Sequence, residues 1–280
     1  MMKKYAVVGF PLGHTMSPFI QKELFSVGGL DAEYGKFEVA PENLSQFFSS
    51  TLSLLDGFNV TIPHKTAIIP LLDSIDEASR EYGAVNTVCQ KDGKYLGFNT
   101  DAYGFLQGLS FSGITLDGKV LIYGFGGAAR TIITESIKAG CDVTVATTPD
   151  RIEKAGRDTA EISSKCGKPI KLITNDEIDS EYDLLVNASP VGMYPNSAQT
   201  PICKEQIGLF SQVYDIVYNP HKTELLRIAE SQGKIIGEGL SMLVFQAQQA
   251  QNCWYGAEFT RQQTISVIEK AAAKLSEVFG

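Results

Sequence analysis

The sequence lacks the features that would place it in several protein classes. Its five cysteines are scattered and include no Cys-x-x-Cys pair, which predicts a reduced, cytoplasmic protein without a disulfide framework. The three histidines, His14, His64 and His221, lie far apart without metal-ligand spacing, so we predict no metal site. No apolar run approaches the roughly 18 residues needed to cross a bilayer, and the apolar run near the amino terminus is too short for the core of a signal peptide.

An excess of positive charge is also missing. The net charge is −8, which argues against the broad basic surface of a nucleic-acid-binding protein, although one local cation would suffice for a small anionic ligand. With 44% hydrophobic and 20% charged residues, the chain of 280 residues can bury substantial cores, and its length fits about two domains. We therefore expect a folded protein whose partner is a small molecule, with no nucleic acid and no membrane.

The stretch KVLIYGFGGAAR, residues 119–130, predicts a strand, a tight turn and a helix. The branched apolar residues of the strand stop at a glycine cluster, and helix-forming residues follow over 128–138. The spacing Gly124-x-Gly126-x-x-Ala129 fits a dinucleotide-binding turn, in which small residues let the backbone approach a pyrophosphate at the helix start. Glycine-rich turns of this kind also occur without a ligand, so the surrounding pattern has to decide.

The middle of the chain alternates between strand and helix patterns. Further strands are predicted at 143–147, 170–173, 183–189, 213–218 and 233–237. This alternation predicts a doubly wound parallel sheet with helices on both faces. The fourth of these strands would end at Tyr218, and Gly239 would open a helix whose packing face is Met242, Leu243 and Phe245.

The segment GFNVTIPHK places a lysine near a strand end. Phe58, Val60 and Ile62 alternate as in a strand, and Pro63 ends it, so that Lys65 lies just beyond. In open α/β sheets this is a favoured position for chemistry. A lone lysine after a proline is also typical of solvated surface.

Polar residues accumulate at the following connections. The segments GAVNT and GFNTDAYGF put Asn86 and Asp101 between glycines, where Asn and Asp are also ordinary turn formers. Together with Asn59, Thr61 and Lys65 they supply an ammonium, a carboxylate and several neutral hydrogen-bonding groups. A polyhydroxylated acid would require such a set.

Two hydroxyl residues, Thr15 and Ser17, lie where a helix is predicted to begin. Ser and Thr at such a place serve as ordinary N-caps. Two hydroxyls that flank one residue at a helix start can also bind a carboxylate, which the helix dipole favours.

Eight segments follow one another in an order and spacing that resemble the shikimate dehydrogenase family, from Gly9 to about Gln249. They are GFPLGHTMSP, NVTIPHK, GAVNT, GFNTD, GFGGAAR, NASPVGM, DIVYNP and GLSMLVFQA. The resemblance implies an α/β enzyme that reversibly reduces 3-dehydroshikimate to shikimate, in the shikimate pathway of aromatic amino acid biosynthesis. It also implies a substrate-binding domain, residues 1–103 completed by C-terminal helices 238–280, beside a Rossmann NADP-binding domain, residues 104–237. A cleft between the domains would hold both ligands, and the protein would be a monomer or a homodimer.

The resemblance assigns roles to individual residues. Lys65 would be the catalytic group, either as acid/base with Asp101 as its partner or mainly by orienting the substrate and stabilising charge. The substrate-binding residues would be Thr15, Ser17, Thr61, Asn86, Asp101, Tyr218 and Gln246. The cofactor-binding residues would be Gly124, Gly126, Gly127, Ala128, Arg130, Thr147, Thr148, Arg151, Ile216 and Gly239. One departure is Thr15, because the family usually has serine there.

The tip of the second strand of the cofactor domain bears on cofactor choice. NAD enzymes tend to place an acidic residue there, which repels a 2′-phosphate, whereas this strand ends in Thr147 and Thr148. The missing acid favours NADP and leaves NAD possible. Members of the family often carry an arginine in an Asn-Arg-Thr sequence at this tip, and here Arg151 follows a few residues later, where it is equally compatible with solvated surface.

Two other functions stay open at this point. A quinate or dual quinate/shikimate dehydrogenase using NAD(P) would have to fit an extra hydroxyl beside Thr15. A non-catalytic sensor would only bind nucleotide. Intact Lys65 and Asp101 count against the sensor, because a binding module has no need of a proton-transfer pair.

Overall fold

The computed structural model describes residues 2–13 and 15–279, which form two compact units. The first unit runs to Gly104 and also contains Leu243–Ala271, whereas the second contains Phe105–Met242 and resumes at Ala272. Each unit is built on a six-stranded sheet with helices, so the predicted α/β class is confirmed. These boundaries describe only how the chain packs into two units. That one unit binds the substrate and the other the cofactor stays a prediction.

The chain up to Phe111 contains ten regular elements, the last of which crosses from the first unit into the second. They are β1 (Lys3–Gly9), α1 (Ser17–Gly28), β2 (Ala32–Glu38), α2 (Leu44–Ser50), β3 (Gly57–Val60), β4 (Ser74–Ile75), α3 (Glu77–Tyr82), β5 (Thr87–Lys91), β6 (Lys94–Phe98) and α4 (Asp101–Phe111). The sheet order is β2-β1-β3-β5-β6-β4. Strand β1 pairs in parallel with both neighbours, while β5 pairs antiparallel with β3 and β6.

The remaining twelve elements complete the chain. They are β7 (Lys119–Tyr123), α5 (Gly127–Lys138), β8 (Asp142–Thr147), α6 (Ile152–Cys166), β9 (Lys171–Thr174), β10 (Tyr182–Asn187), α7 (Lys204–Ile207), β11 (Phe210–Asp215), α8 (Glu224–Ser231), β12 (Ile235–Glu238), α9 (Gly239–Tyr255) and α10 (Arg261–Phe279). None of the helices within the described part of the chain is long and apolar enough to span a membrane.

The first unit packs hydrophobic side chains on its sheet. Val8, Phe58 and Val88 from three neighbouring strands belong to one buried cluster. Tyr5 of β1 stacks on Trp254 of α9, with ring centroids 4.4 Å apart. Burial of each such side chain contributes about 1.5–3 kcal/mol to the free energy of unfolding. Residues from α9 therefore complete a core that the N-terminal segment begins.

The second unit has the strand order of a dinucleotide-binding fold. Its all-parallel sheet runs β12-β11-β10-β7-β8-β9, and the order changes direction between β7 and β10, where ligands bind in such folds. Side chains of β7 alternate between the faces: Val120 and Ile122 join one cluster with α5, and Leu121 joins another with α8. Helices therefore cover both faces, as the sequence predicts.

Three predicted details of the elements are wrong. Strand β3 ends at Val60, and Ile62 is 68% exposed rather than part of a buried alternation, because the chain turns from Thr61 to His64. Strand β11 ends at Asp215 rather than Tyr218, since the Asp215 carboxylate accepts the Val217 N–H and bends the chain.

The third detail concerns helix α9, which begins at Gly239 as predicted. Leu240, Met242 and Val244 are buried, but Leu243 and Phe245 are only half-buried. The buried stripe continues at four- and three-residue steps through Ala247 and Gln251, the period of an amphipathic helix.

Candidate active site

Two oppositely charged side chains meet in the first unit. Lys65 Nζ lies 2.5 Å from Asp101 Oδ2, and the two side chains are 13% and 2% exposed. The turn that carries Lys65 is anchored because the Lys65 carbonyl accepts the Val85 N–H at 2.8 Å. Asp101 opens α4, where the helix dipole favours a carboxylate. The pair therefore combines a buried carboxylate with an ammonium that remains partly accessible.

Asn86 links this pair to its surroundings. Its Nδ2 donates to Asp101 Oδ1 at 2.8 Å and to Gln246 Oε1 at 3.3 Å. Its Oδ1 accepts the Thr100 N–H at 2.8 Å and the Thr87 hydroxyl at 3.1 Å. Because donors surround the amide oxygen, the NH₂ group is directed at the carboxylate. Lys65, Asp101, Asn86 and Gln246 are thus in direct contact through hydrogen bonds.

A buried hydrogen-bond chain continues behind Asn86. Asn59 Nδ2 donates to Thr87 Oγ1 at 3.0 Å, and the Tyr34 hydroxyl donates to Asn59 Oδ1 at 2.6 Å. Thr87 is fully buried and was not among the residues predicted for the site. The only sequence signal was the Asn-Thr pair in GAVNT, which also fits the start of an ordinary strand.

Thr15 and Ser17 lie together at the start of α1. The Thr15 hydroxyl donates to Ser17 Oγ at 3.2 Å and accepts the Ser17 N–H at 3.3 Å. The N-cap residue is Met16, whose side chain makes no capping hydrogen bond. Both residues are half-buried. Their predicted contact with a carboxylate stays a prediction.

Thr61 follows β3 and lies against the end of β1. Its N–H donates to the Val8 carbonyl at 2.9 Å. A Cβ on Gly9 would lie 2.4 Å from Thr61 Cγ2, so glycine is required for this close approach. The side chain of Thr61 is half-buried, four residues before Lys65, and its role as a ligand stays a prediction.

The glycine-rich turn of the second unit fits a dinucleotide phosphate. Gly124 has φ +113°, and a Cβ there would lie 2.9 Å from the Ala188 carbonyl oxygen. A Cβ on Gly126 would meet no described atom within 4 Å. Helix α5 begins at Gly127 and its N-cap, Gly126, provides no side-chain cap for the amides of the first turn. This arrangement suits an anionic group.

Two cations follow the tip of β8, with the acid Asp150 next to the first of them. The Arg151 guanidinium carbon lies 5.5 Å from the centroid of the Phe125 ring, and Lys154 Nζ lies 5.9 Å from it. Thr147 is buried, and Thr148 is half-buried. Of the two threonines, Thr148 is the one whose side chain remains accessible to a ligand. The adjacent cations fit the 2′-phosphate of NADP.

Arg130, a predicted cofactor ligand on α5, forms ion pairs with two carboxylates of α6. Its guanidinium lies 3.1 Å from Asp158 Oδ1 and 2.8 Å from Glu161 Oε2. Hydrogen bonds from Lys165 and then from Arg130 lower the pKa of Glu161 to about 2. The structure thus places the Arg130 charge against two carboxylates, and its contact with a cofactor stays a prediction.

The loop after β11 carries two further candidates, Ile216 and Tyr218. Both are half-buried while Val217 between them is buried. Gly239 opens α9 against this loop, and a Cβ there would lie 2.3 Å from the Ile216 carbonyl oxygen. Glycine is therefore needed for the helix to start this close to the loop.

A search for clusters of at least three His, Cys, Asp or Glu side chains able to hold a metal finds none within residues 2–13 and 15–279. His14, which entered the sequence argument, lies outside these residues. His64 is buried, and its Nε2 lies 2.7 Å from the Val39 carbonyl oxygen. His221 Nε2 lies 2.9 Å from Glu238 Oε2.

Known proteins resemble this chain along nearly its whole length. The family model described as shikimate dehydrogenase substrate binding domain matches residues 7–88. A protein from Shouchella clausii (strain KSM-K16), named shikimate dehydrogenase (NADP(+)), is 37% identical over 268 residues, which cover 93% of this chain and 96% of the relative.

Two solved structures support the same comparison. Shikimate 5-dehydrogenase from Thermus thermophilus, in complex with NADP(H) and shikimate, has a TM-score of 0.85 at 30% identity and covers 96% of this chain and 100% of its own. The corresponding enzyme from Listeria monocytogenes, in complex with shikimate and NAD, has a TM-score of 0.85 at 30% identity and covers 96% of each chain.

Proposed function

The chain belongs to the shikimate dehydrogenase family, and from that premise we propose that Lys65 and Asp101 carry the proton transfer of its reaction. The protein is an NADP-dependent oxidoreductase that reversibly reduces 3-dehydroshikimate to shikimate in the shikimate pathway. The single observation that carries the residue assignment is the 2.5 Å contact between Lys65 Nζ and Asp101 Oδ2.

Proton transfer follows from the chemistry of this pair. When bound, the nicotinamide would supply or accept the hydride at the carbon atom that bears the reacting oxygen. Lys65 donates a proton to the ketone oxygen during reduction and accepts one from the alcohol during oxidation, a role worth about 10² to 10⁴ in rate. Asp101 holds the ammonium in place, and Asn86 holds Asp101 through its 2.8 Å hydrogen bond.

The substrate is bound by polar groups of the first unit. Thr15 and Ser17 bind its carboxylate through the paired hydroxyls at the start of α1. Thr61, Asn86, Asp101 and Gln246 bind the ring hydroxyls, joined by Tyr218. This assignment is supported by the family model for a substrate binding domain, which matches residues 7–88. Residues 1–103 and 238–280 accordingly form the substrate-binding domain.

NADP is bound by residues 104–237, together with Gly239. Gly124, Gly126, Gly127 and Ala128 hold the pyrophosphate at the start of α5, a role supported by the open space around Gly126. Thr148 and Arg151 bind the adenosine end beside the buried Thr147, a role supported by the cations beside Phe125. Ile216 and Gly239 line the nicotinamide site, and Arg130 lies at the phosphate end.

The test is a spectrophotometric assay of reduced cofactor, in which shikimate and quinate are each offered with NADP and with NAD. The proposal expects the highest kcat/KM for shikimate with NADP. Faster turnover of quinate with NAD would contradict the proposal and identify the protein as a quinate dehydrogenase. Cofactor binding without turnover of either acid would contradict it and identify a nucleotide-binding sensor.

Two further properties complete the proposal. The protein works in the cytoplasm, which agrees with its free cysteines. It is a monomer or a homodimer. Light scattering coupled to size exclusion would measure a mass of one or two chains, and a larger assembly would contradict the second statement.

A further inference from the structure

Asp215 is a fully buried carboxylate at the end of β11 that has no role in the site as described so far. It is 0% exposed. Burial raises its pKa to about 7, against hydrogen bonds from Thr223, Val217 and Asn187 that lower it. Removing a carboxylate from water is costly unless its oxygens accept hydrogen bonds. The contacts of Asp215 therefore have to offset the cost of burying it.

Its first two contacts close the loop at 216–222. The Val217 N–H donates to Asp215 Oδ1 at 3.0 Å, and the Thr223 hydroxyl donates to Asp215 Oδ2 at 2.7 Å. Val217 lies at the start of the loop, and Thr223 caps the N-terminus of α8 beyond its end. One carboxylate therefore fixes both ends of the loop that carries Ile216 and Tyr218.

The third contact joins this loop to the one that follows β10. Asn187 Nδ2 donates to Asp215 Oδ1 at 2.9 Å and to the Val191 carbonyl at 3.1 Å. Asn187 Oδ1 accepts the Ser189 hydroxyl at 2.7 Å. All of the hydrogen-bonding capacity of the Asn187 amide is used within the two loops.

The loop after β10 in turn contacts the glycine-rich turn. A Cβ on Gly124 would lie 2.9 Å from the Ala188 carbonyl oxygen, so these backbones are already in close contact. The loops after β7, β10 and β11 are thus connected, and Asp215 is the buried acid at their junction. These are the strand ends at which ligands bind in parallel α/β sheets.

We infer that Asp215 is a positioning residue, whose carboxylate holds the 216–222 loop in the conformation that presents Ile216 to the cofactor and Tyr218 to the substrate. This inference rests on the proposed function for the roles of Ile216 and Tyr218. Asp215 itself touches neither ligand. Its effect on the reaction is transmitted through Val217, Thr223 and Asn187.

The test compares Asp215→Ala and Asp215→Asn with the wild-type protein. Alanine removes every acceptor, whereas asparagine keeps Oδ1 for Val217 and Asn187 and offers an N–H to the Thr223 oxygen. We expect Asp215→Ala to lower kcat/KM for shikimate by about tenfold to a hundredfold, as slight misplacement of a contact does. The dissociation constant for NADP, measured by calorimetry, should change less, and Asp215→Asn should restore most of the lost kcat/KM.

Hydrogen–deuterium exchange makes the test independent of activity. Peptides covering 188–193 and 216–222 should exchange at least about tenfold faster in Asp215→Ala, because local opening becomes easier. A control, Thr159→Ala, removes a buried hydroxyl on α6 that bonds the Ala155 carbonyl and should leave both peptides and kcat/KM unchanged. If Asp215→Ala does not fold, Thr223→Val compared with Thr223→Ser provides a milder version of the same test.

The outcomes separate this inference from the proposed function. If hydrogen–deuterium exchange of the two peptides were unchanged in Asp215→Ala, the inference would be overturned whatever the activity of the variant. Faster exchange with unchanged kcat/KM would also overturn it, because the loop would then not position a ligand. A wild-type protein without shikimate turnover would contradict the proposed function, while the exchange measurement would still decide whether Asp215 holds the loop.

Discussion

The ammonium of Lys65 and the carboxylate of Asp101 are 2.5 Å apart, although 36 residues separate them in the sequence. Their meeting depends on two backbone anchors: the Val85 N–H that the Lys65 carbonyl accepts, and the start of α4 at Asp101. The predictions below test this pair, the groups around it and the buried carboxylate of the second unit.

Replacing Lys65 by alanine should remove most of the turnover. We expect kcat to fall by about 10² to 10⁴, because the positioned proton donor and acceptor is lost. The dissociation constant for NADP should stay close to that of the wild type, since the proposed cofactor ligands lie in the second unit. Steady-state kinetics and calorimetry measure the two quantities, and Lys91→Ala, at an exposed position, is the control. Wild-type turnover in Lys65→Ala would refute the catalytic role.

The variant Thr87→Val tests the hydrogen-bond chain behind Asn86. Valine has nearly the same shape but cannot donate to Asn86 Oδ1 or accept from Asn59. We expect the free energy of unfolding to fall by about 1–3 kcal/mol, as for other buried groups left without a partner, and kcat/KM to fall as well. Urea denaturation and kinetics measure these changes.

Thr264→Val is the matched control for this variant. Its hydroxyl is also buried and accepts from Gln248 Nε2 at 2.8 Å, but it belongs to the helical part of the first unit. In this control the free energy of unfolding should fall while kcat/KM stays at the wild-type value. If Thr87→Val and Thr264→Val changed kcat/KM to the same extent, the effect of Thr87 would be one on stability alone.

Thr15→Ala should weaken the binding of shikimate. Loss of a hydrogen bond to a charged group costs about 1.5–3 kcal/mol, which raises KM by roughly ten- to a hundredfold while kcat changes little. Thr15→Ser keeps the hydroxyl next to Ser17 and should retain a KM close to that of the wild type. A wild-type KM in the alanine variant would show that Thr15 does not contact the carboxylate.

Arg151→Gln should reduce the preference for NADP. The guanidinium beside Phe125 is the proposed partner of the 2′-phosphate, so we expect KM for NADP to rise by about tenfold, which corresponds to about 1.4 kcal/mol. KM for NAD should stay unchanged. Arg157→Gln, at an exposed position on α6, is the control. A proportional change in both cofactors would contradict a role in selectivity.

Asp215 should make stability depend on pH. Its folded-state pKa of about 7 lies above the ordinary value of 3.8, so its stabilising contribution is present in full below pH 3.8 and is lost as the pH rises through 7. Relative to Asp215→Asn, the wild-type free energy of unfolding should therefore fall between these pH values. The expected fall is at most about 4 kcal/mol. Urea denaturation of both proteins across this range measures it, and a pH-independent difference would contradict it.

The sequence predicts the fold and the main polar groups because their signals are local. The glycine spacing at 124–129 specifies a turn and a helix start, and the strand and helix alternation specifies a parallel sheet. The errors at Ile62 and Tyr218 have one cause: residues typical of a strand continue past the point at which hydrogen bonds have already turned the chain.

Other residues could not be identified from the sequence. Thr87 and Asp215 act on neighbouring side chains that are distant in sequence, and each alone resembles an ordinary strand-end residue. The partners of Arg130 were equally hidden, because Asp158 and Glu161 face it only once α5 and α6 lie side by side. Such groups are recognised by their contacts rather than by their spacing.

The contribution of α9 to the first unit has a consequence during protein synthesis. Trp254 stacks on Tyr5 and donates to the Val88 carbonyl, and Gln251 donates to Gln21. Domains that are continuous in sequence can fold while the ribosome is still translating. Here the half that holds Lys65 and Asp101 is translated early, yet it lacks these contacts until α9 has emerged, so a chain arrested before α9 would hold this pair in an incomplete core.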